Sequence, residues 1–143
     1  MEPWELAARE AIRDVIARYA ALVDRGRFDA LLELFADDAV LEAGDRPPAR
    51  GRAAIREFLV GTGERLARAT LRPVIRHHVS TVVIDVDGPS AATATSYFLA
   101  ITERGPDHWG RYRDRFVRDG RWQIGHRTVR IDGRAPSSVF GRD

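Results

Sequence analysis

Apolar residues recur at spacings of three and four through Ile12, Val15, Ile16, Tyr19, Leu22 and Val23. That spacing winds onto one stripe of a helix, with Arg9, Arg13, Asp14 and Arg18 on the opposite face. Gly26 is a natural stop. Phe28, Leu31, Leu32 and Phe35 mark a short second helix, ended by Asp37-Asp38, after which Ala39-Val40-Leu41 begins a short extended piece. Residues 44–50 read as a loop, because Pro47-Pro48 fits inside neither regular element. A third helix is predicted over 52–68, with Ile55, Phe58 and Leu59 on its apolar face. Gly61-Thr62-Gly63 predicts a kink or break within it.

From Val74 the pattern changes to β-branched and aromatic residues. Strands are predicted at 79–84, 91–102, 108–118 and 121–131, separated by turns at Asp87-Gly88, Gly105-Pro106-Asp107 and Asp119-Gly120. Turns joining consecutive strands indicate an antiparallel meander. Past Gly133 the chain is polar, so one domain over 1–133 and a loose tail over 134–143 are expected. Helices followed by an antiparallel sheet make an α+β domain. Both parities of the strand near 79–86 carry Val or Ile, whereas a solvated face alternates cleanly. A buried outer face is therefore expected, most simply in a homodimer. Arg127 and Trp122 are an odd number of positions apart, so they face opposite ways unless a bulge intervenes.

Composition narrows the function classes. With 143 residues, one domain is expected. The chain is 44% hydrophobic, enough for a packed core. It has no cysteine, which removes disulfides, thiolate metal sites and cysteine nucleophiles. All 23 basic residues are arginine, against 21 acids. Signs alternate, as in Arg9-Glu10 and Arg113-Asp114-Arg115, so the arginines read as solvated surface rather than a nucleic-acid stripe. No apolar run is long enough to span a bilayer. The acidic start Met1-Glu2-Pro3-Trp4-Glu5 does not look like a secretion signal, and a cytoplasmic location is expected.

Candidate chemistry rests on histidines and carboxylates. His77 and His78 are adjacent, so on a strand only one faces inward and they cannot grip one ion together. Neither a metal-ligand spacing nor a phosphate-binding glycine loop is present, and no cofactor is expected. Asp24 falls in the last turn of the first helix, the end where the helix dipole disfavours a carboxylate. It is either a solvated surface residue or an acid held at a cavity mouth. A histidine base needs a partner that fixes its tautomer, and a carboxylate on one ring nitrogen does so.

The runs Tyr19-Ala20-Ala21-Leu22-Val23-Asp24, Phe28 to Ala39, Gly51-Arg52-Ala53-Ala54-Ile55, Arg76-His77-His78-Val79-Ser80 and the Gly110–Arg127 hairpin resemble the SnoaL-like group of the nuclear-transport-factor-2-like superfamily. The resemblance spans about residues 5–133. It implies a cone-shaped α+β barrel, with three helices packed on a strongly curved, mostly antiparallel sheet around a deep pocket. Scytalone dehydratases and hexachlorocyclohexane dehydrochlorinases in this group pair an Asp at the end of the first helix with a His at the start of the first long strand. Asp24 and His77 match those positions, Arg127 is the nearest match to a last-strand arginine, and His108 is a candidate second pocket histidine.

The resulting expectation is a cofactor-free lyase, isomerase or cyclase acting on a small, largely apolar organic molecule. His77 would abstract a proton from carbon, Asp24 would orient it, and Arg127 would stabilise developing negative charge. Tyr19, Tyr97, Trp109 and Tyr112 are candidate pocket-wall or hydrogen-bonding residues. Polyketide cyclases and ketosteroid isomerases share the fold and stay open. Two rivals remain. A non-catalytic binding or structural subunit predicts Asp24 and His77 too far apart for a hydrogen bond. Epoxide opening by activated water, as in limonene epoxide hydrolases, predicts Asp114 facing the cavity with a second carboxylate.

Overall fold

Pro3 opens the first helix, α1 (Pro3–Asp24), at a position where a missing N–H costs nothing. Its apolar stripe is buried from Ala8 through Ile12, Val15 and Ile16 to Tyr19. A computed structural model describes residues 1–67 and 74–140. The second helix, α2 (Phe28–Leu32), stops earlier than its apolar spacing predicts, and Phe35 instead opens strand β1 (Phe35–Ala43). The reason is tertiary. The Ile124 N–H donates to the Leu34 carbonyl at 2.8 Å, and Phe35 pairs with Ile124 and is fully buried. Pairing with a distant strand outweighs the local helical spacing.

The expected loop over 44–50 contains a two-residue strand, β2 (Ala49–Arg50), paired antiparallel with β1. Helix α3 (Arg52–Ala67) runs unbroken through Gly61-Thr62-Gly63. The Thr62 hydroxyl donates to the Phe58 carbonyl at 3.0 Å. A side chain at Gly63 would sit 3.2 Å from the Phe28 ring, so glycine there permits close approach of α2. The expected helix end at residue 68 and the tail residues 141–143 lie outside the described residues.

Strands β3 (Arg76–Val86), β4 (Ala91–Thr102), β5 (Gly105–Asp119) and β6 (Arg121–Arg134) form the predicted meander. Among the described residues the sheet order is β2-β1-β6-β5-β4-β3, with only the β1–β6 pair parallel. The fold is α+β, and the sheet is curved but not closed, with β2 and β3 as its edges. The turn expected at 105–107 is displaced. Thr102 pairs with Gly105, so Glu103 and Arg104 make the turn. No helix among the described residues is long and apolar enough to cross a membrane.

Single-residue bulges interrupt the alternation of the long strands. Ser80 pairs with Tyr97 but Val83 pairs with Thr95, leaving one extra residue in β3. Val79 lies on the concave side before this bulge, and Val82, Ile84 and Val86 lie there after it. The mixed parity of this strand therefore has a local cause, and Val83 is its exposed apolar residue. Another bulge leaves Gly125 unpaired between Phe116–Ile124 and Arg115–His126. Trp122, Ile124 and Arg127 are consequently all buried.

Thr81, in the β3 bulge, holds φ of 52°, a left-handed conformation that β-branched residues avoid. Relieving this costs nothing in packing, because Thr81 is exposed. The left-handed penalty of about 1–2 kcal/mol exceeds glycine's extra chain entropy of about 0.5–1 kcal/mol. Thr81→Gly should stabilise the fold by roughly 0.5–1 kcal/mol in urea unfolding. Destabilisation would show that the hydroxyl, not the backbone, matters at this position.

Candidate active site

Asp24 occupies the end of α1 where the dipole opposes its charge, and two donors from β3 compensate. β3 is an edge strand, so N–H groups pointing away from β4 need another acceptor. The His77 N–H donates to Asp24 Oδ2 at 3.0 Å, and His77 Nδ1 lies 2.6 Å from Asp24 Oδ1. The paired side chains are only 14% and 9% exposed. An ionised carboxylate accepts only, so Nδ1 carries the proton and Nε2 is the basic ring nitrogen. His78, one residue on, is exposed on the other face.

His77 faces a cavity of about 590 Å³ between the helices and the concave sheet. Val23, Leu41, Leu59, Ile75 and Phe98 give it apolar walls, and Asp45, Arg46 and Arg65 are exposed residues at its rim. The Arg46 guanidinium stacks 4.1 Å above the Phe58 ring. Tyr19 and Tyr112 also line the cavity. Burial raises both phenol pKa values, so each keeps its proton at neutral pH.

A second oriented imidazole lies opposite. The His77 and His108 rings are 6.1 Å apart, both near Phe98. His108 Nδ1 is 2.7 Å from Asp107 Oδ2, and both residues are buried. Adjacent strand residues normally face opposite ways, but Ala100 pairs with His108 while Ile101 pairs with Pro106, so Asp107 is the extra residue of a bulge. Burial lowers the pKa of His108, Asp107 opposes that, and the neighbouring His77 adds to it. Asp107 is itself held below the usual carboxylate range. Burial works against this, and donors from His108, Val139 and Ser138 overcome it.

Other expected site residues lie elsewhere. Arg127 does not reach the cavity. It is fully buried behind the wall, with Nε and Nη2 on the two oxygens of Asp114 at 2.7 and 2.8 Å. Its guanidinium lies between the Tyr19 and Tyr112 rings, 4.2 and 4.0 Å from their centroids. Burial opposes its charge, but Asp114 more than compensates and raises its pKa. Asp114 is thereby tied up and does not line the cavity, whose lining carboxylates among the described residues are Asp24 and Asp45, so it does not face the cavity as water activation would require. Tyr97 and Trp109 point to the convex face, because the inward set on β4 and β5 is Phe98, His108, Gly110 and Tyr112. Trp109 covers Gly133, where a side chain would lie 2.5 Å from the indole. Among the described residues, no three histidines or acids are grouped to hold a metal ion.

The C-terminal segment also reaches the site. The Ala135 N–H donates to the Asp107 carbonyl at 2.8 Å, and Phe140 lines the cavity. Residues 135–140, read as part of a loose tail, are thus packed in place. The sequence carries no local signal for this, since their partner is 28 or more positions away.

Comparison with known proteins agrees with the fold. Residues 4–128 match the family profile of a SnoaL-like domain. A candidate scytalone dehydratase from Novosphingobium aromaticivorans is 28% identical, with a TM-score of 0.80 over 94% of this chain and 91% of that one. An NTF2-like protein with a cystatin-like fold from the same organism is 29% identical, with a TM-score of 0.78 over 92% and 87%. ActVI-ORFA from Streptomyces coelicolor shares the fold at 20% identity, with a TM-score of 0.74 over 87% and 97%.

Two outcomes follow. Asp114→Asn leaves the Arg127 charge buried and unpaired, and should cost about 3–5 kcal/mol in chemical unfolding. The double variant Asp114→Leu/Arg127→Met should recover most of that loss, and equal losses would show the pair is not coupled. The second concerns pH. With the folded His108 held below its ordinary 6.5, the unfolded chain takes up this proton first as pH falls. Stability should therefore fall as pH drops below about 6.5, with a shallower slope in His108→Gln. Parallel stability–pH curves for the two proteins would contradict this.

Proposed function

The chain belongs to the SnoaL-like domain family, and we propose that it is a cofactor-independent enzyme of the lyase, isomerase or cyclase type. The observation that carries this reading is the 2.6 Å Asp24–His77 contact at the wall of a largely apolar cavity. A non-catalytic subunit has no need of an imidazole whose tautomer is held by a buried acid. The cavity size and walls fit a small, mostly apolar organic molecule. The arginines at its rim favour a polar or anionic end left at the surface.

In this mechanism His77 Nε2 takes a proton from a carbon next to a carbonyl or leaving group. The electron pair moves into the carbonyl or expels the leaving group. Asp24 holds the ring and stabilises the imidazolium, which returns the proton to oxygen or carbon. Tyr19 and Tyr112, kept protonated by burial, donate to the oxygen on which charge develops. His108, held neutral with Nδ1–H on Asp107, presents Nε2 as an acceptor for a substrate hydroxyl. Arg127 acts indirectly, by setting the two tyrosine rings.

An activated aromatic carbon acid such as 5-nitrobenzisoxazole tests the base without knowledge of the natural substrate. Ring opening should be catalysed by the unaltered chain. It should fall about 10²-fold or more in His77→Gln, consistent with loss of a general base, and substantially in Asp24→Asn. Tyr97→Phe and Trp109→Phe should leave the rate unchanged. A His77→Gln protein as fast as the unaltered chain, with the fold intact by circular dichroism, overturns the assignment.

A further inference from the structure

Asp107 is the acceptor on which the C-terminal segment converges. Its Oδ2 receives the Ser138 hydroxyl at 2.9 Å together with His108 Nδ1 at 2.7 Å, and its Oδ1 receives the Val139 N–H at 2.9 Å. Its backbone carbonyl receives the Ala135 N–H at 2.8 Å. The Ser138 N–H closes a turn back to the Ala135 carbonyl at 2.9 Å. The Phe140 ring then meets His108 edge-on, with centroids 5.0 Å apart.

We propose that residues 135–140 are a built strap of the active site and that Ser138 is a positioning residue. Its hydroxyl and the Val139 amide fix the Asp107 carboxylate, and through it the orientation and tautomer of His108. The proposal rests on the reading of His108 as a working group of the pocket. It goes beyond family membership, because the strap lies outside the 4–128 match.

The chemistry explains why a strap is needed. Asp107 sits in a bulge, without a pairing partner in β4, and a buried carboxylate bound only by one imidazole would have unfilled acceptor sites. Its charge would then fall on the His108 contact alone and favour the imidazolium over the neutral ring. Two further donors hold the carboxylate in place and share its charge, so His108 keeps Nδ1–H and presents Nε2. Phe140 covers the ring and limits the water that reaches it. The charged and titratable groups facing His108 are Asp107 on its own strand, His77 on β3 and Arg134 on β6. The strap itself, Ala135-Pro136-Ser137-Ser138-Val139-Phe140, adds no side-chain charge.

The test is an NMR titration of the histidine ring nitrogens in the full chain, with His108 assigned by His108→Gln. In the unaltered protein His108 should titrate below its ordinary value as the Nδ1–H tautomer. Ser138→Ala removes a competing donor, so Asp107 binds the imidazole more strongly. Phe140→Ala admits water to the ring. Both should raise the His108 midpoint by roughly half a pH unit or more, by strengthened pairing and by relieved desolvation respectively. Ser138→Thr, which keeps the hydroxyl, should restore it. A His108 midpoint and tautomer identical to the unaltered chain in folded Ser138→Ala and Phe140→Ala proteins overturns the proposal. No substrate enters this measurement, so it stands or falls independently of the ring-opening assay.

Discussion

A strand sends successive side chains to opposite faces, and one inserted residue reverses that order for everything beyond it. The pocket of this protein depends on that reversal. The Gly125 bulge turns Arg127 into the core alongside Trp122 and Ile124. The β3 bulge keeps Ile84 and Val86 on the same side as Val79. The Asp107 bulge places an acid and a histidine, neighbours in sequence, in the same buried space. Bulges also bend and twist strands, so the insertions that aim these side chains also help a six-stranded sheet to curve without closing.

The two imidazoles are oriented by similar contacts with different structural reach. Asp24 and His77 are 53 positions apart, and their bond joins the end of α1 to an edge strand. It satisfies an edge N–H, offsets a poorly placed helix-terminal charge and sets a tautomer at once. Asp107 and His108 are adjacent, but their contact is completed by donors 31 and 32 positions away. The first pair ties helix to sheet and the second ties the strap to the sheet. Neither ring can be positioned correctly unless the whole layer is assembled.

Arg127 changes meaning between sequence and structure. Its position on the last strand resembles that of arginines used in similar enzymes. In the fold it is a buried cation matched by a bidentate carboxylate and covered by two aromatic faces. Breaking such a pair costs far more than an exposed one contributes, because desolvation leaves the survivor uncompensated. The pair therefore serves the pocket as a rigid backing for Tyr19 and Tyr112. Most of the other arginines pair with acids at the surface or lie exposed, as their alternation with acids indicated.

The sequence by itself determined the order of elements, the stripe of α1, the strand meander and the Asp24–His77 candidates, because these rest on local periodicity and on motif resemblance. Tertiary structure decided the rest. Phe35 left its helical pattern when Ile124 paired with it, and Gly61-Thr62-Gly63 stayed helical, with Gly63 close against the Phe28 ring. Tyr97 and Trp109 went outward and Arg127 inward according to register and bulges, which depend on long-range pairing rather than on residue type. His108 joined the site and the tail folded back for the same reason. A carboxylate isolated by a bulge needs donors, and only the folded chain brings Ser138 and Val139 to it.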